Sequence, residues 1–491
     1  MPFRPFPSRA WLAGVALCAL NAGAAAAKDL PATPEGAQKL TAFFATYLGA
    51  PRPGAPPAYK VTPEGSDYLV SFDLAAVAGP LAAAGFAYDS ATFTAKLIEQ
   101  DDGAWRVESG DTPPVSAHTP HGSSTVAMTG YKSELVVDPA TAWFRTASGG
   151  ADKATLHSRT DNGIDETIET GAFQYTGTGG ATAAGAVSST IRESAAGVGA
   201  TIATKTDKPG GDPKTSSASA RIDNLAINAN LDGLKSRAAL DLWAFLVAHP
   251  SRPELAANEA ALKQLIGAAT GSPLKLNDAI EFHKFSAQTA QGPILMDNAK
   301  LGVKADTAAP GALEEHIAFD GLSLPATLAP APYRDFAPTS IDLDVKATGF
   351  DVAAASAEAI ADLHLTGDGP PLSPEDRTKI WTKLIGAGPV TIEVPPSHIV
   401  APRLDLSLEG QMIYKGGRPT GTFTLRMRNF DNTLAALKTL DPDTERKLIP
   451  ALAMAKGLAK TEGDGVLTWV GEIGPDGSMK VNGLPLGKAP L

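Results

Sequence analysis

The sequence predicts an α+β, β-rich fold: an extended antiparallel, curved sheet with helices packed on one face. Three observations carry this. Leu404, Leu406 and Leu408 alternate with Asp405, Ser407 and Glu409, and Phe423, Leu425 and Met427 alternate with Thr424, Arg426 and Arg428. That is the period-two pattern of strands with one buried face. A further pair, residues 466–473 returning through Met479 and Val481, turns at Pro475-Asp476-Gly477. Segments of helical period with recognisable ends stand between such runs. One apolar and one polar face on successive strands describe an antiparallel sheet packed on one side.

The chain opens with Arg4 and Arg9 before an apolar run, residues 10–27, broken only by Asn21. Ala25 and Ala27 place small residues before Lys28, so residues 1–27 read as a signal peptide cut after Ala27. Cys18 raises a lipoprotein reading, but Leu17 stands where a small residue is needed and cleavage there would split the apolar run. Cleavage leaves 464 residues without cysteine, hence no intramolecular disulfide, thiolate metal site or cysteine nucleophile. A chain of this size can bury a sufficient core without disulfides.

Elements follow in order. Leu40, Phe43, Phe44, Tyr47 and Leu48 have helical spacing, and Gly49 ends that helix. After the proline-rich connector 51–57 come strands at 59–62 and 68–73, then a hairpin of 93–98 and 105–108 about Asp101-Asp102-Gly103. Strands are expected at 134–137, 142–146, 155–159 and 167–175. Residues 176–220 are mostly Gly, Ala, Ser and Thr; they read either as a flexible linker or as closely approaching strands. A helical insert spans 234–269, interrupted near Pro250 and Pro253. Strands resume at 279–285, 300–304, 315–319 and 341–347. Ser373-Pro374-Glu375-Asp376 starts a helix that ends at Gly386, followed by a strand at 390–394. A helix over 434–440 precedes another that starts at Asp441-Pro442-Asp443, runs toward Gly457 and should kink at Pro450. The helix exits at Gly49, Gly267 and Gly386 resemble one another and precede strands, a loose repetition without fixed period. The organisation predicted is an N-terminal β-rich region with a leading helix at 28–233, a helical insert at 234–271, and a C-terminal β-rich region with two or three helices at 272–491.

Chemistry-bearing patterns are sparse. His118 and His121 share a Pro/Ser/Thr loop that lacks further ligands for a metal. Ser272 and Lys275 have the Ser-x-x-Lys spacing but leave a helix for a strand, so they do not stack, and there is no Gly-x-Ser-x-Gly elbow. Asp161, Asp165 and Glu166 surround a hairpin turn at Asn162-Gly163 and lack the ligand spacing of a calcium loop. No catalytic, cofactor-binding or metal residue, and no cofactor, is therefore expected. Formal charge falls from −11 to −13 on loss of Arg4 and Arg9, which disfavours nucleic acid and anionic head groups. No later run reaches the 18 or so apolar residues of a spanning helix. At 6% aromatic content the chain also lacks the girdles of a membrane barrel.

The C-terminal pair, Val466-Leu467-Thr468-Trp469-Val470 with Asp476-Gly477-Ser478-Met479-Lys480-Val481-Asn482-Gly483, resembles the ending of an alphaproteobacterial exported envelope family. That family is catalogued as domain of unknown function 2125. The segment Val61-Thr62-Pro63-Glu64-Gly65-Ser66-Asp67-Tyr68 is also similar. The resemblance implies an exported protein and offers no catalytic residue to carry over. More remotely, the strand-and-helix style resembles bacterial proteins whose long curved sheets carry lipid across the envelope. The leading expectation is a noncatalytic periplasmic envelope protein that holds an apolar ligand or lipid in its sheet, with lipid or another envelope protein as partner. The alternative is a secreted or surface interaction or adhesion module, and a hydrolase with an unrecognised site comes third.

Overall fold

The computed structural model describes residues 27–49, 57–77, 85–89, 91–182, 185–206, 214–331, 333–367, 369–386, 388–416, 418–438 and 442–488. The leader with Cys18, and connector residues 51–56, lie outside them. The protein is 53% strand and 23% helix, built on antiparallel sheet that does not close. Two compact units divide it. One comprises residues 1–216 and 226–272, the other 217–225 and 273–491.

The first unit begins with α1 (Pro34–Leu48). Thr33 caps it by accepting the Gly36 N–H, and Gly49 at φ +89° ends it, its N–H on the Ala45 carbonyl. Then come β1 (Tyr59–Glu64), β2 (Asp67–Asp73), the short α2 (Leu74–Val77), β3 (Ala87–Tyr88) and β4 (Thr92–Glu99). Next are β5 (Trp105–Ser109), β6 (Val115–Thr119), β7 (Gly122–Thr129), β8 (Lys132–Asp138), β9 (Trp143–Ala151) and β10 (Lys153–Thr160). The series ends with β11 (Ile164–Thr170), β12 (Phe173–Ala181), β13 (Val187–Thr206) and β14 (Lys214–Leu234), of which residues 217–225 belong to the second unit.

Many of these strands are halves of longer ones. Both β11 and β12 pair with β13 in one continuous register, from Ile164 opposite Thr204 to Phe173 opposite Ala195. In the same way β9 and β10 run along β12 and β11, and β7 and β8 run along β10 and β9. The interruptions line up: Gly130 lies opposite Asp152, and Asp152 opposite the break at residues 171–172. Gly130 has φ +64°, and a Cβ there would meet the Asp152 carboxylate at 2.2 Å, so only glycine fits this bend. The strand expected at 167–175 is therefore two, broken at 171–172. The Gly/Ala/Ser/Thr stretch 176–220 forms strand in β12, β13 and β14 where described, apart from residues 182, 185 and 186 between β12 and β13.

A row of side chains across β2, β4, β5, β8, β9 and β12 makes this unit's core under α1. Val70 and Ala147 are fully buried, and Leu40 and Ala37 of α1 close over them with Leu97, Val107 and Leu135. Helices α3 (Ser236–Ala248), α4 (Arg252–Ala257) and α5 (Glu259–Thr270) complete the unit. The Trp243 indole of α3 donates to the Tyr47 carbonyl at 2.9 Å, and the Ser236 hydroxyl donates to the Thr141 carbonyl. Gly267 does not end a helix as expected. It lies inside α5, which runs on to Thr270 because a glycine amid Leu, Ile and Ala costs only a fraction of a turn's stability.

The second unit is a meander in which each strand pairs with the next. It contains β15 (Lys275–Thr289), β16 (Gly292–Asp306), β17 (Gly311–Asp320), β18 (Ser340–Phe350), β19 (Val390–Ala401), β20 (Leu404–Lys415) and β21 (Arg418–Arg428). Helices α6 (Val352–Ala361) and α7 (Pro374–Ile385) lie between β18 and β19 in the chain. After β21 come α8 (Phe430–Leu437) and α9 (Pro442–Leu458). The two-residue β22 (Lys460–Thr461) and β23 (Leu467–Ile473) follow, with β23 paired to β21, and then β24 (Ser478–Val481) and β25 (Leu484–Lys488). Among the described residues four α-helices thus stand where two or three were expected. The unexpected one is α6, whose alanine-rich sequence carries too little apolar contrast to reveal a face, although Asp351 caps it through the Ala354 N–H at 2.9 Å. Pro450 does lie inside α9.

Candidate apolar site on the C-terminal sheet

Strand alternation and register together define one apolar face on the second unit. Leu301 of β16 lies beside Ile280 on β15 and Ile317 on β17, and Ile317 lies beside Leu343 on β18. Farther along, Ile399 of β19 faces Leu406, Leu406 faces Met427, and Met427 faces Leu467. No bulge shifts these partners to the other side: β19 absorbs one extra residue between Val394 and Ser397, near Pro395-Pro396, and Val394 and Ser397 keep the same side.

Only part of the face is covered. At the β20–β21–β23 end, Met427, Phe430 and Leu467 are buried, with Leu404, Leu406, Leu434, Leu452 and Trp469 packed against them. The Trp469 indole donates to the Ala455 carbonyl of α9 at 2.7 Å, fixing helix to sheet. The leucine stripe at 404–408 is therefore half core at this end, closed by α8 and α9. Gly410 lies opposite Phe423, and a Cβ there would meet the Phe423 ring at 2.4 Å, so the glycine lets that ring lie over β20.

On β16, β17 and β18 the same face is open. Leu301 is 43% exposed, Ile317 46% and Val345 44%, and Val303 and Leu313 are exposed beside them. These five are neighbours: Leu301 pairs with Ile317, and Val303 with Glu315, which in turn pairs with Val345. Contiguous exposed aliphatic side chains on a regular sheet are uncommon, because such surface ordinarily finds cover.

The opposite face of these strands is polar and paired. Glu281 meets Lys300 at 2.7 Å, Lys275 meets Asp306 at 3.3 Å, and Lys304 meets Glu314. Lys300 beside Glu281 holds its carboxyl below the ordinary range. On this face too, His316 Nδ1 is 2.9 Å from Asp344 and 3.8 Å from Asp342. The three side chains offer ligand atoms within 4.8 Å of one another, a set that a divalent cation could share. Asp342-x-Asp344 was visible as a period-two pair, but His316 joins it only through the β17–β18 register.

The residues weighed from sequence do not converge. His118 lies on strand β6, not in the loop expected, and bonds Asp89 at 3.0 Å, whereas His121 lies in the turn between β6 and β7. Lys275 pairs with Asp306 across β15–β16, away from any nucleophile role for Ser272. Asp165 binds His157 at 2.8 Å and Arg159 at 2.6 Å beside the turn at Gly163. These contacts hold its carboxyl low, with Arg159 the larger cause. Among the described residues no helix is long and apolar enough to cross a membrane.

The family model for uncharacterised proteins conserved in bacteria, DUF2125, matches residues 217–490, and the chain belongs to that family. The match begins at Ser217, where the second unit begins, and contains the whole of the apolar face. The segment at 61–68 lies outside it. No curated protein and no solved structure matches the chain.

Proposed function

We propose that this DUF2125 protein is an exported, noncatalytic envelope protein that holds the acyl chains of a lipid along the open apolar face of β16, β17 and β18. The observation that carries the reading is the contiguous exposure of Leu301, Val303, Leu313, Ile317 and Val345 on a sheet whose other end is closed by helices. Removing apolar surface from water is favourable by about 25 cal/mol per Å², and a flat, unbranched chain can follow a row of aliphatic side chains without specific polar contacts. The basic, alanine-rich leader at 1–27 supports export to the periplasm.

The test has two parts. Lipid extracted from the purified protein is identified by mass spectrometry, and binding of a chain-labelled fluorescent lipid is measured for the wild type, Ile317→Asp and Leu406→Lys. Ile317→Asp sits on open surface, so it should melt as the wild type does and lose most binding. Leu406→Lys places an ammonium among Met427, Leu434 and Trp469 and should destabilise the unit by about 3 kcal/mol or more. Full lipid binding by Ile317→Asp would reject the site.

A further inference from the structure

The open face is not uniformly apolar. Asp278 of β15 lies directly opposite Val303, and Glu315 of β17 lies opposite Val303 on its other side. The row Asp278–Val303–Glu315–Val345 thus crosses four strands, with its two carboxylates about 10 Å apart at the strand spacing of a sheet. Both belong to the apolar side by alternation, Asp278 between Leu276 and Ile280, Glu315 between Leu313 and Ile317. Neither has an ionic partner among the described residues, and Asp278 Oδ1 is buried without a hydrogen bond.

The contrast with the other face is sharp. There the carboxylates of Glu281, Asp306 and Glu314 are each matched by a lysine across the ladder. On the apolar positions of β15 to β18 the one basic residue is Lys284, and it is already bound to Asp297 at 2.6 Å. If charge served only to keep an exposed face soluble, either sign would do. Here, apart from the Lys284–Asp297 pair, both charges are negative and uncompensated, and one oxygen is withdrawn from water.

Resting on the acyl-chain reading above, we infer that the lipid held on this face carries a positively charged amine at its polar end, received by Asp278 and Glu315. A carboxylate or bare phosphate placed there would meet two like charges with no cation to offset them. An ammonium has three donors and can pair with the Asp278 and Glu315 carboxylates while its chain runs over Leu301 and Ile317.

The experiment uses the full chain and three probes of identical length with the same chain-terminal fluorophore, ending in a primary amine, a hydroxyl or a carboxylate. At pH 7 the amine should bind about tenfold more tightly than the alcohol, the worth of one charge-assisted hydrogen bond, and the carboxylate more weakly than either. The double variant Asp278→Asn/Glu315→Gln should lose the amine preference and keep the alcohol's affinity. Salt supplies a check that needs no variant: the amine preference of the wild type should shrink between low and high ionic strength while alcohol binding stays level. Alcohol binding without an amine preference, or a preference that survives both the variant and salt, would overturn this inference and leave the acyl-chain reading standing. Failure of all three probes to bind would overturn both.

Discussion

At the entrance to α7 the Ser373 hydroxyl accepts the Asp376 amide hydrogen at 3.1 Å, and the Asp376 carboxylate accepts the Ser373 N–H at 3.0 Å. The reciprocal pair satisfies two amides that a helix start otherwise leaves to water. Ser373→Ala should therefore cost about 1 kcal/mol. Bonding to the Ser373 hydroxyl and amide, with Lys379 at 3.1 Å, depresses the Asp376 carboxyl from 3.8 to about 2. A carboxyl lowered on folding stabilises the native state fully above its unfolded value and loses that contribution as pH falls through the folded one. The melting temperature of wild type should exceed that of Asp376→Asn at pH 5, and the gap should close as the pH falls toward 2. A gap that is constant from pH 5 to 2 would remove the carboxylate from the cap's energetics. This cap was legible as Ser-Pro-Glu-Asp because its geometry is local. The pairing of His316 with Asp344 was not, because 28 residues separate them and only the register brings them together.

Among the elements, the last hairpin carries the clearest pattern. Gly477 takes φ +79° between β23 and β24, its N–H reaching the Gly474 carbonyl at 3.0 Å. Val481 then lies opposite Gly471 on the apolar side, whereas Lys480 lies opposite Glu472 on the exposed side. Val481→Asp should destabilise by about 2 kcal/mol, and Lys480→Asp by about 0.5 kcal/mol. Equal melting temperatures for the two variants would show that the strand faces are assigned the wrong way round. Helix ends were readable where a capping residue or a positive-φ glycine marks them, as at Gly49 and Gly386. They were misread at Gly267, where the same Leu-Ile-Gly-Ala letters continue as helix. The open patch was misjudged for a related reason. The alternating leucines at 404–408 are the clearest stripe in the sequence, yet α8 and α9 pack over Leu404 and Leu406. The exposed row on β16 to β18 is interrupted by Glu315 and has no local mark of being uncovered. Cover is decided by which helices return to a strand, and periodicity does not encode that.

At the scale of the molecule, β15 to β21 each pair with the next strand in sequence, so period-two patterning sufficed to predict an extended antiparallel sheet. The strand expected at 167–175 ran straight through Gly171-Ala172; the interruption there could not be read, since it shows only in the facing breaks at Asp152 and Gly130. The family match raises a physical question about where its boundary falls. Residues 217–490 include α3, α4 and α5, but these helices belong to the first unit, whose larger part, 1–216, lies before the match. In the full chain α3 docks through Trp243 on the Tyr47 carbonyl and Ser236 on the Thr141 carbonyl, and both partners are missing from a 217–490 fragment. Short helices in water are marginal without an apolar face to pack on. The strands β15 to β21, by contrast, keep all their ladder partners within the fragment. Hydrogen exchange should therefore separate the two sets. In the fragment the amides of 236–270 should exchange at least about tenfold faster than in the full chain, the change expected when about 1.4 kcal/mol of local protection is lost. Amides of β16 to β20 should change little. If α3 and α5 stay as protected in the fragment as in the full chain, their stability does not come from the first unit, and the matched region folds as a body of its own.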